Sequence, residues 1–161
     1  MPVSVGHEFF MREAHDAACA ALDRGEVPVG AVVVVDGQII GRGSNQPIAT
    51  SDPTAHAEVV ALRDAARRVG NHRLTGATVY VTVEPCAMCA GALVHARIGT
   101  LVFGILEPKT GAVVSAMRLL DHPALNHRVE VIGGVLEDEC RGLLQAFFVS
   151  RRKEAKATVE T

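Results

Sequence analysis

Apolar residues along the chain recur first at helical spacing and then at strand spacing. Between His7 and Leu22 they return every three or four positions, which predicts an amphipathic helix. The valine-rich residues 29–35 and the shorter run 38–43 follow as strands, and Asp36-Gly37 between them is a strong two-residue hairpin turn. The chain is therefore expected to begin with a helix and an antiparallel pair of strands.

Helices and strands continue to alternate in the second part of the chain. Asp52 can cap a helix that begins at Pro53 and runs to about residue 68, and Pro85 opens another helix over residues 86–96. The other predicted elements are strands at 78–83, 101–103 and 129–132, a short helical patch near 115–120, and a C-terminal helix whose apolar stripe extends from Leu136 to Phe147. About 25 residues separate the last two strands, which is enough for a parallel crossover connection.

These elements predict a single three-layer α/β/α domain over residues 1–161, built on a mixed five-stranded sheet. The composition fits a globular domain, with 48% hydrophobic and 21% charged residues. The longest aliphatic run covers only residues 31–35, far short of the roughly 20 that a membrane span needs. The N-terminal segment lacks the pattern of a signal peptide, so we expect a cytoplasmic protein without a membrane partner.

Charge and cysteine content narrow the possible chemistry. With a formal net charge of -2, the chain offers no overall attraction to nucleic acid, so such a partner would have to be held locally. Basic residues do gather near the C-terminus, at Arg151, Arg152, Lys153 and Lys156. The four cysteines, in a reducing compartment, favour metal binding or catalysis over disulfides. Of these, Cys19 and Cys140 fall on apolar helical faces and are expected to pack as small hydrophobic residues.

Two short motifs place potential metal ligands at the starts of two predicted helices. In the first, His56 and Glu58 lie two residues apart. In the second, Cys86 and Cys89 lie three apart, so one helical turn brings both thiols onto the same face. A helix N-terminus carries partial positive charge, which favours the thiolate form that metals bind. One histidine and two cysteines suit tetrahedral zinc, and three protein ligands leave the fourth position for water, as in catalytic zinc sites.

Glu58 is the expected proton carrier beside that water. Two thiolates cancel the formal charge of a zinc ion, so we expect less acidification of its water than at a zinc held by three neutral histidines. A neighbouring base is then needed. The Glu58 carboxylate can take the water proton during attack on a ring carbon, pass it to the ring nitrogen and later protonate the leaving amine. The combination of HxE with PCxxC is typical of zinc-dependent nucleobase deaminases.

Two other interpretations of these motifs stay open on spacing alone. A CxxC at a helix N-terminus after a strand also occurs in thioredoxin-like redox proteins, although that function leaves His56 and Glu58 without a role. A purely structural zinc site would need a fourth protein ligand, for which His95 and His72 are the nearest candidates.

Longer segments around the motifs resemble the bacterial tRNA-specific adenosine deaminases, a family with the cytidine-deaminase-like fold. The similar segments are residues 26–31, 52–58, 71–104, 109–112 and 126–130, together with Phe147, Phe148, Arg151 and Arg152. They extend over nearly the whole chain. The short zinc motifs would fit many deaminases, whereas these flanking segments favour the branch that acts on tRNA.

The resemblance implies a homodimer that holds one Zn²⁺ per subunit and hydrolyses adenosine to inosine at the wobble position of tRNA anticodons. Its zinc ligands would be His56, Cys86 and Cys89. Its proton carrier would be Glu58, acting on C6 of a base that the partner, a tRNA anticodon stem-loop, extrudes into a pocket. The residues that the resemblance implies for substrate binding are Asn45, Glu107, Lys109, Phe148, Arg151 and Arg152. Glu107 is one methylene longer than the aspartate that is common at its position in the family.

Two rival functions remain open beside this one. An enzyme of the same fold could act on a free base or nucleoside, such as guanine or cytosine, which the near-neutral charge would suit. A non-enzymatic zinc or RNA-binding module could use the ion only to hold its fold. Replacing Glu58 separates the last possibility, because a structural zinc site would lose nothing, whereas an enzyme would keep its zinc and lose turnover.

Overall fold

Five α-helices and five β-strands alternate along the chain in the computed structural model, which describes residues 5–159. The helices are α1 (Val5–Asp23), α2 (Pro47–Thr50), α3 (Ala57–Val69), α4 (Ala87–His95) and α5 (Glu137–Val159). The strands are β1 (Gly30–Val35), β2 (Gln38–Ser44), β3 (Thr78–Val83), β4 (Thr100–Ile105) and β5 (Glu130–Ile132). The two ends of the predicted domain, residues 1–4 and 160–161, lie outside the described residues.

The strands form one mixed sheet in the order β2-β1-β3-β4-β5. β1 pairs antiparallel with β2 and with β3, whereas β3, β4 and β5 run parallel to one another. The hairpin between β1 and β2 turns at Asp36 and Gly37, both with positive φ, as a tight two-residue turn requires. The mixed five-stranded sheet and the parallel connection into the last strand, both predicted from the sequence, are therefore confirmed.

Alternate side chains of the sheet belong to two separate apolar layers. Ala31 and Val33 of β1 lie in a core shared with α3 and α4. Their neighbours Val32 and Val34 lie in a second core, which α1 and α5 contribute to. Because successive strand residues point to opposite faces, helices cover both sides of the sheet. The predicted three layers are confirmed, and α3 and α4, whose N-terminal ends carry the two sequence motifs, share one face.

Two glycines of β2 let α3 approach the sheet closely. A Cβ atom at Gly41 would collide with the carbonyl oxygen of Ala61, and one at Gly43 would collide with that of Ala57. The missing side chains therefore permit the helix backbone to pack directly on the strand. This contact fixes the N-terminal end of α3, where the HxE motif lies.

The start of α3 corrects one prediction. Asp52 does not cap a helix at Pro53, because α3 begins at Ala57. The Asp52 carboxylate instead accepts hydrogen bonds from the N–H and the hydroxyl of Thr54, at 2.8 and 2.7 Å, within a turn over residues 52–55. The N–H of Ala57 donates to the side-chain oxygen of distant Asn45, at 2.8 Å. A tertiary partner thus sets the helix start, which sequence spacing could not reveal.

Other helical segments also differ from their predicted bounds. α4 is one residue shorter at each end than the predicted 86–96, and the loop expected around 45–51 contains the short α2. The patch expected at 115–120 consists of turns followed by a 3₁₀ segment, Leu119–Asp121. A helix over 115–120 would bond the N–H of Leu119 to the carbonyl oxygen of Ser115, but this N–H donates to the carbonyl oxygen of Ala112 at 3.0 Å. Within residues 5–159, each helix is too short or too polar to cross a membrane.

Candidate active site

Two helix starts place the three potential metal ligands side by side. His56 immediately precedes α3, Cys86 immediately precedes α4, and Cys89 lies in the first turn of α4. Both helices cover the same face of the sheet, so their N-terminal ends can meet. The ligand atoms of the three residues all lie within 4.8 Å of one another. The structure thus brings together the imidazole and the two sulfur atoms that the sequence singled out.

The distances between these atoms fit a tetrahedral metal centre. His56 Nδ1 lies 3.4 Å from Cys89 Sγ and 3.6 Å from Cys86 Sγ. A tetrahedral zinc ion about 2.3 Å from sulfur and about 2.0 Å from nitrogen holds such atoms roughly 3.6 Å apart. His72 and His95 line a separate groove between α3 and α4. Among residues 5–159 the group therefore offers three protein ligands, one fewer than tetrahedral coordination requires.

The three ligands share protons through hydrogen bonds. Hydrogen bonds with Cys89 and His56 lower the pKa of the Cys86 thiol to about 3, which favours its thiolate form. The hydrogen bond to Cys86, together with burial, raises the pKa of the Cys89 thiol. The hydrogen bond with Cys86 also raises the pKa of His56. A divalent cation would displace these shared protons, because metal binding requires both thiolates and a neutral imidazole.

Glu58 lies beside the ligands in the first turn of α3 and is only 4% exposed. Burial raises the pKa of its carboxyl group above the ordinary value, although hydrogen bonds from its own backbone N–H and from Cys89 act in the opposite direction. A carboxyl group with a raised pKa exchanges its proton closer to neutral pH, which suits a general acid and base. Glu58 and two of the potential metal ligands, His56 and Cys86, line the same cleft.

The cleft beside the potential metal ligands has a volume of about 270 Å³. This is close to the lower end of the range for small-molecule sites, about 300 Å³. Its lining residues are Val27, Val29, Asn45, His56, Glu58, Val83, Glu84, Cys86, Glu107, Thr110, Leu144 and Phe148. Apolar walls with a few convergent polar groups and a carboxyl group of raised pKa are typical of an active site.

Three of the residues predicted to bind substrate line this cleft: Asn45, Glu107 and Phe148. Asn45 also caps α3, because its Oδ1 accepts the N–H of Ala57. Phe148 is 47% exposed on the surface of α5. Lys109 lies outside the lining of the cleft, exposed, and its backbone N–H donates to the Glu107 carboxylate at 2.9 Å.

The two arginines predicted to bind substrate also lie outside the cleft lining, and they differ from each other. Arg151 donates a hydrogen bond to the carbonyl oxygen of Gly25, and its guanidinium group lies 5.1 Å from the centre of the Phe147 ring. Arg152 lies exposed on α5 beside Phe148. The first arginine therefore ties α5 to the loop before β1, whereas the second borders open surface.

Two buried carboxylates that support the cleft were not predicted as site residues. Glu84 is 3% exposed and accepts hydrogen bonds from four N–H groups and from the Ser115 hydroxyl. Burial raises the pKa of Glu84, but these hydrogen bonds outweigh burial and hold that pKa below its ordinary value. Glu26 accepts the N–H groups of Ile48 and Ala49 in α2, at 3.2 and 2.8 Å. The signal that could have identified both glutamates is the position of a charged residue close to a buried, valine-rich strand.

Comparison with known proteins identifies the family to which the chain belongs. The chain matches the MafB19-like deaminase family over residues 5–152. It is 51% identical over 150 residues to the tRNA-specific adenosine deaminase of Haemophilus influenzae, a match that covers 92% of this chain and 87% of that protein. The chain belongs to the family of tRNA-specific adenosine deaminases. The family member from Bacillus subtilis is 47% identical over 150 residues, which cover 93% of each chain.

Solved structures agree with the family and the fold. One comes from a study of A-to-I editing by tRNA:A34 deaminases at the wobble position of transfer RNA. It has a TM-score of 0.83 and 44% identity, and the match covers 84% of this chain and 99% of that one. A guanine deaminase from Nitrosomonas europaea has a TM-score of 0.77 at 22% identity, over 87% of this chain and 83% of that one, which supports the fold alone. The predicted cytidine-deaminase-like fold is confirmed.

Proposed function

We propose that the protein is a zinc-dependent deaminase that hydrolyses adenosine to inosine at the wobble position of tRNA anticodons. The observation that carries the proposal is the convergence of three metal ligands and the buried Glu58 at one cleft. Membership of the tRNA-specific adenosine deaminases supports the choice of substrate. So does the similarity to a structure studied for editing at the wobble position.

Zinc is the metal that the ligand set favours. Thiolate and imidazole are soft or borderline ligands, which disfavours magnesium, calcium and manganese. His56, Cys86 and Cys89 would hold the ion. When bound, zinc supplies a Lewis acid that activates a water molecule for attack on C6 of the base.

Glu58 moves the protons of the reaction. Its carboxylate takes one proton from the attacking water and gives it to the ring nitrogen. It then takes the second proton of that water from the oxygen now bonded to C6 and delivers it to the amine, which leaves as ammonia. Burial supports this role, because it raises the pKa of Glu58 and so stabilises the protonated stage between the two transfers. The balance of the reaction is adenosine and water converted into inosine and ammonia.

The remaining cleft residues hold the base and the surrounding RNA loop. Asn45 uses its Oδ1 to cap α3, so its amide NH₂ is the group left to donate to the substrate. Phe148 and Val27 give the cleft exposed apolar surface, against which unstacked bases can pack. The exposed Arg152 beside Phe148 supplies positive charge for a nearby phosphate. Glu107 in the cleft lining and the exposed Lys109 next to it offer the RNA loop further polar contacts.

A homodimer and a cytoplasmic location complete the proposal. An apolar groove between α3 and α4, partly lined by Leu62, Leu74 and Ala92, supports contact with a second copy of the chain. Reduced ligand cysteines and a tRNA substrate support the cytoplasm. Sedimentation equilibrium should give twice the 17.0 kDa chain mass. A single-chain mass at every concentration tested would contradict the homodimer.

The test of function compares substrates for the zinc-loaded protein. An anticodon stem-loop with adenosine at the wobble position is incubated in parallel with free adenosine, guanine, cytosine and cytidine, and inosine and ammonia are measured. The same stem-loop with guanosine at the target position is the matched control. We expect ammonia from the adenosine stem-loop alone. Release of ammonia from a free base or nucleoside instead would show that the protein acts on a different substrate. Release from none of the compounds would contradict the proposal that the protein is a deaminase.

A further inference from the structure

We infer that Glu84 is a positioning residue that joins the metal-bearing segment to one wall of the cleft and thereby sets the affinity for substrate. Glu84 lies between β3 and Cys86, two residues before the first cysteine ligand. Its backbone N–H donates to the carbonyl oxygen of Ile105 at 2.8 Å, so its main chain is fixed to β4. This inference rests on the proposed function in one respect: the change in substrate affinity is measured with the proposed deamination reaction.

One loop, residues 107–115, occupies both oxygens of the Glu84 carboxylate. Oε1 accepts the N–H of Glu107 at 3.0 Å and the hydroxyl of Ser115. Oε2 accepts the N–H groups of Val113, Val114 and Ser115 at 3.1, 2.8 and 3.0 Å. A carboxylate has about four lone-pair sites, and five donors converge on this one. Glu84 therefore has no free acceptor for a substrate proton, although it lines the same cleft as Glu58.

The loop packs against Glu84 without spare room. A Cβ atom at Gly111 would collide with the carboxyl group of Glu84 and with the carbonyl oxygen of Glu107. The next N–H, from Ala112, donates to the carbonyl oxygen of Pro85 at 2.8 Å. The loop thus lies directly on the residues that lead into Cys86.

The position of this loop determines one wall of the cleft. Glu107 and Thr110 line the cleft together with Glu84. Residues 106–118 form neither helix nor strand, so no regular backbone pairing holds them in place. The five hydrogen bonds to Glu84, together with the bond from Ala112 to Pro85, attach the loop to the end of β3 instead. Loosening them should move the wall that contacts the substrate while leaving Glu58 and the metal ligands in place.

Glu84→Gln tests this role in the zinc-loaded protein. The variant keeps the size of the side chain but turns an amide NH₂ toward backbone N–H donors. We expect KM for the anticodon stem-loop to rise at least about tenfold, with kcat changed less than about threefold and one zinc still bound per chain. A decrease in kcat alone would indicate that Glu84 takes part in the chemical step. A loss of bound zinc would indicate that Glu84 supports the metal site. Either result would overturn the inference.

Gly111→Ala disturbs the same contact from the loop side. We expect it to reproduce the rise in KM, because the added methyl group separates the loop from Glu84. Gly142→Ala is the matched control, since a Cβ atom there on α5 meets nothing within 4 Å. It should leave KM and kcat unchanged. An unchanged KM for Gly111→Ala would contradict the link between loop position and affinity.

Hydrogen exchange measures the contact without any substrate. In Glu84→Gln, the amides of residues 113–115 should exchange at least about tenfold faster than in the parent protein, while those of β3 stay protected. Unchanged protection of residues 113–115 would overturn the inference. If the faster exchange is found but the parent protein converts no stem-loop, the proposed function fails and the contact between Glu84 and the loop stands.

Discussion

The two sides of the cleft differ in how deeply their residues are buried in the fold. On the metal side, the starts of α3 and α4 pack on the sheet, and Glu58 and Cys89 are buried. On the other side, α5 carries Phe148 on its surface, and all described residues of the helix beyond Phe147 are exposed. The proposed chemistry, which depends on tenths of an ångström, lies on the buried side, and the proposed contacts with a large substrate lie on the exposed side. Mutations on the two sides should therefore have different kinetic signatures.

The largest expected effect lies on the buried side. Glu58→Gln should lower kcat by about 100-fold to 10,000-fold, because it removes the group that transfers protons. The affinity for the stem-loop and the zinc content should stay unchanged, since no ligand is altered. Single-turnover kinetics, RNA-binding titration and metal analysis on one preparation measure all three. An enzyme that kept its kcat would remove Glu58 from the mechanism.

A neighbouring pair of aromatic residues tests the exposed side. Phe148→Ala should weaken stem-loop binding by about 5-fold to 150-fold, the range for loss of one base-stacking contact, without lowering thermal stability. Phe147→Ala should instead lower the free energy of unfolding by about 3 kcal/mol, because Phe147 is only 7% exposed. Fluorescence anisotropy and denaturant unfolding separate the two effects. If both variants lose stability and neither loses affinity for the stem-loop, Phe148 has a packing role in α5 and does not bind RNA.

The smallest expected effect distinguishes the two arginines. Arg152→Ala should reduce the slope of log K against log salt concentration by about 0.7, the value for one lost phosphate contact with a single strand. Arg151→Ala should change this slope less, because the Arg151 guanidinium is already hydrogen-bonded to Gly25 and lies over Phe147. Binding titrations over a range of salt concentrations give both slopes. Equal changes would contradict the distinction.

Local spacing was enough to predict the metal side of the site. His56, Cys86 and Cys89 each lie at a helix start, and the three-residue spacing of Cys86 and Cys89 places both sulfur atoms on one face. The layers and the strand directions also followed from alternation of apolar residues and from connection lengths. Most helix and strand bounds were predicted to within a few residues for the same reason.

Other features of the site depend on contacts between distant segments, which the spacing of residues along the chain could not predict. The start of α3 depends on Asn45, which is twelve residues away from the N–H that it accepts. The Glu84 carboxylate binds donors between 23 and 31 residues further along the chain. Arg151 reaches Gly25 across 126 residues. A buried polar group requires partners, but the sequence does not say which ones the fold will supply.

The central claim is that three protein ligands hold one zinc ion and leave one coordination position to water. X-ray absorption at the zinc edge of the purified, zinc-loaded protein tests it most directly. The account predicts two sulfur atoms at about 2.3 Å and two nitrogen or oxygen atoms at about 2.0 Å, with the Glu58→Gln variant unchanged in its two sulfur ligands. A shell of four sulfur or histidine ligands, or a protein that binds no stoichiometric zinc, would contradict the account.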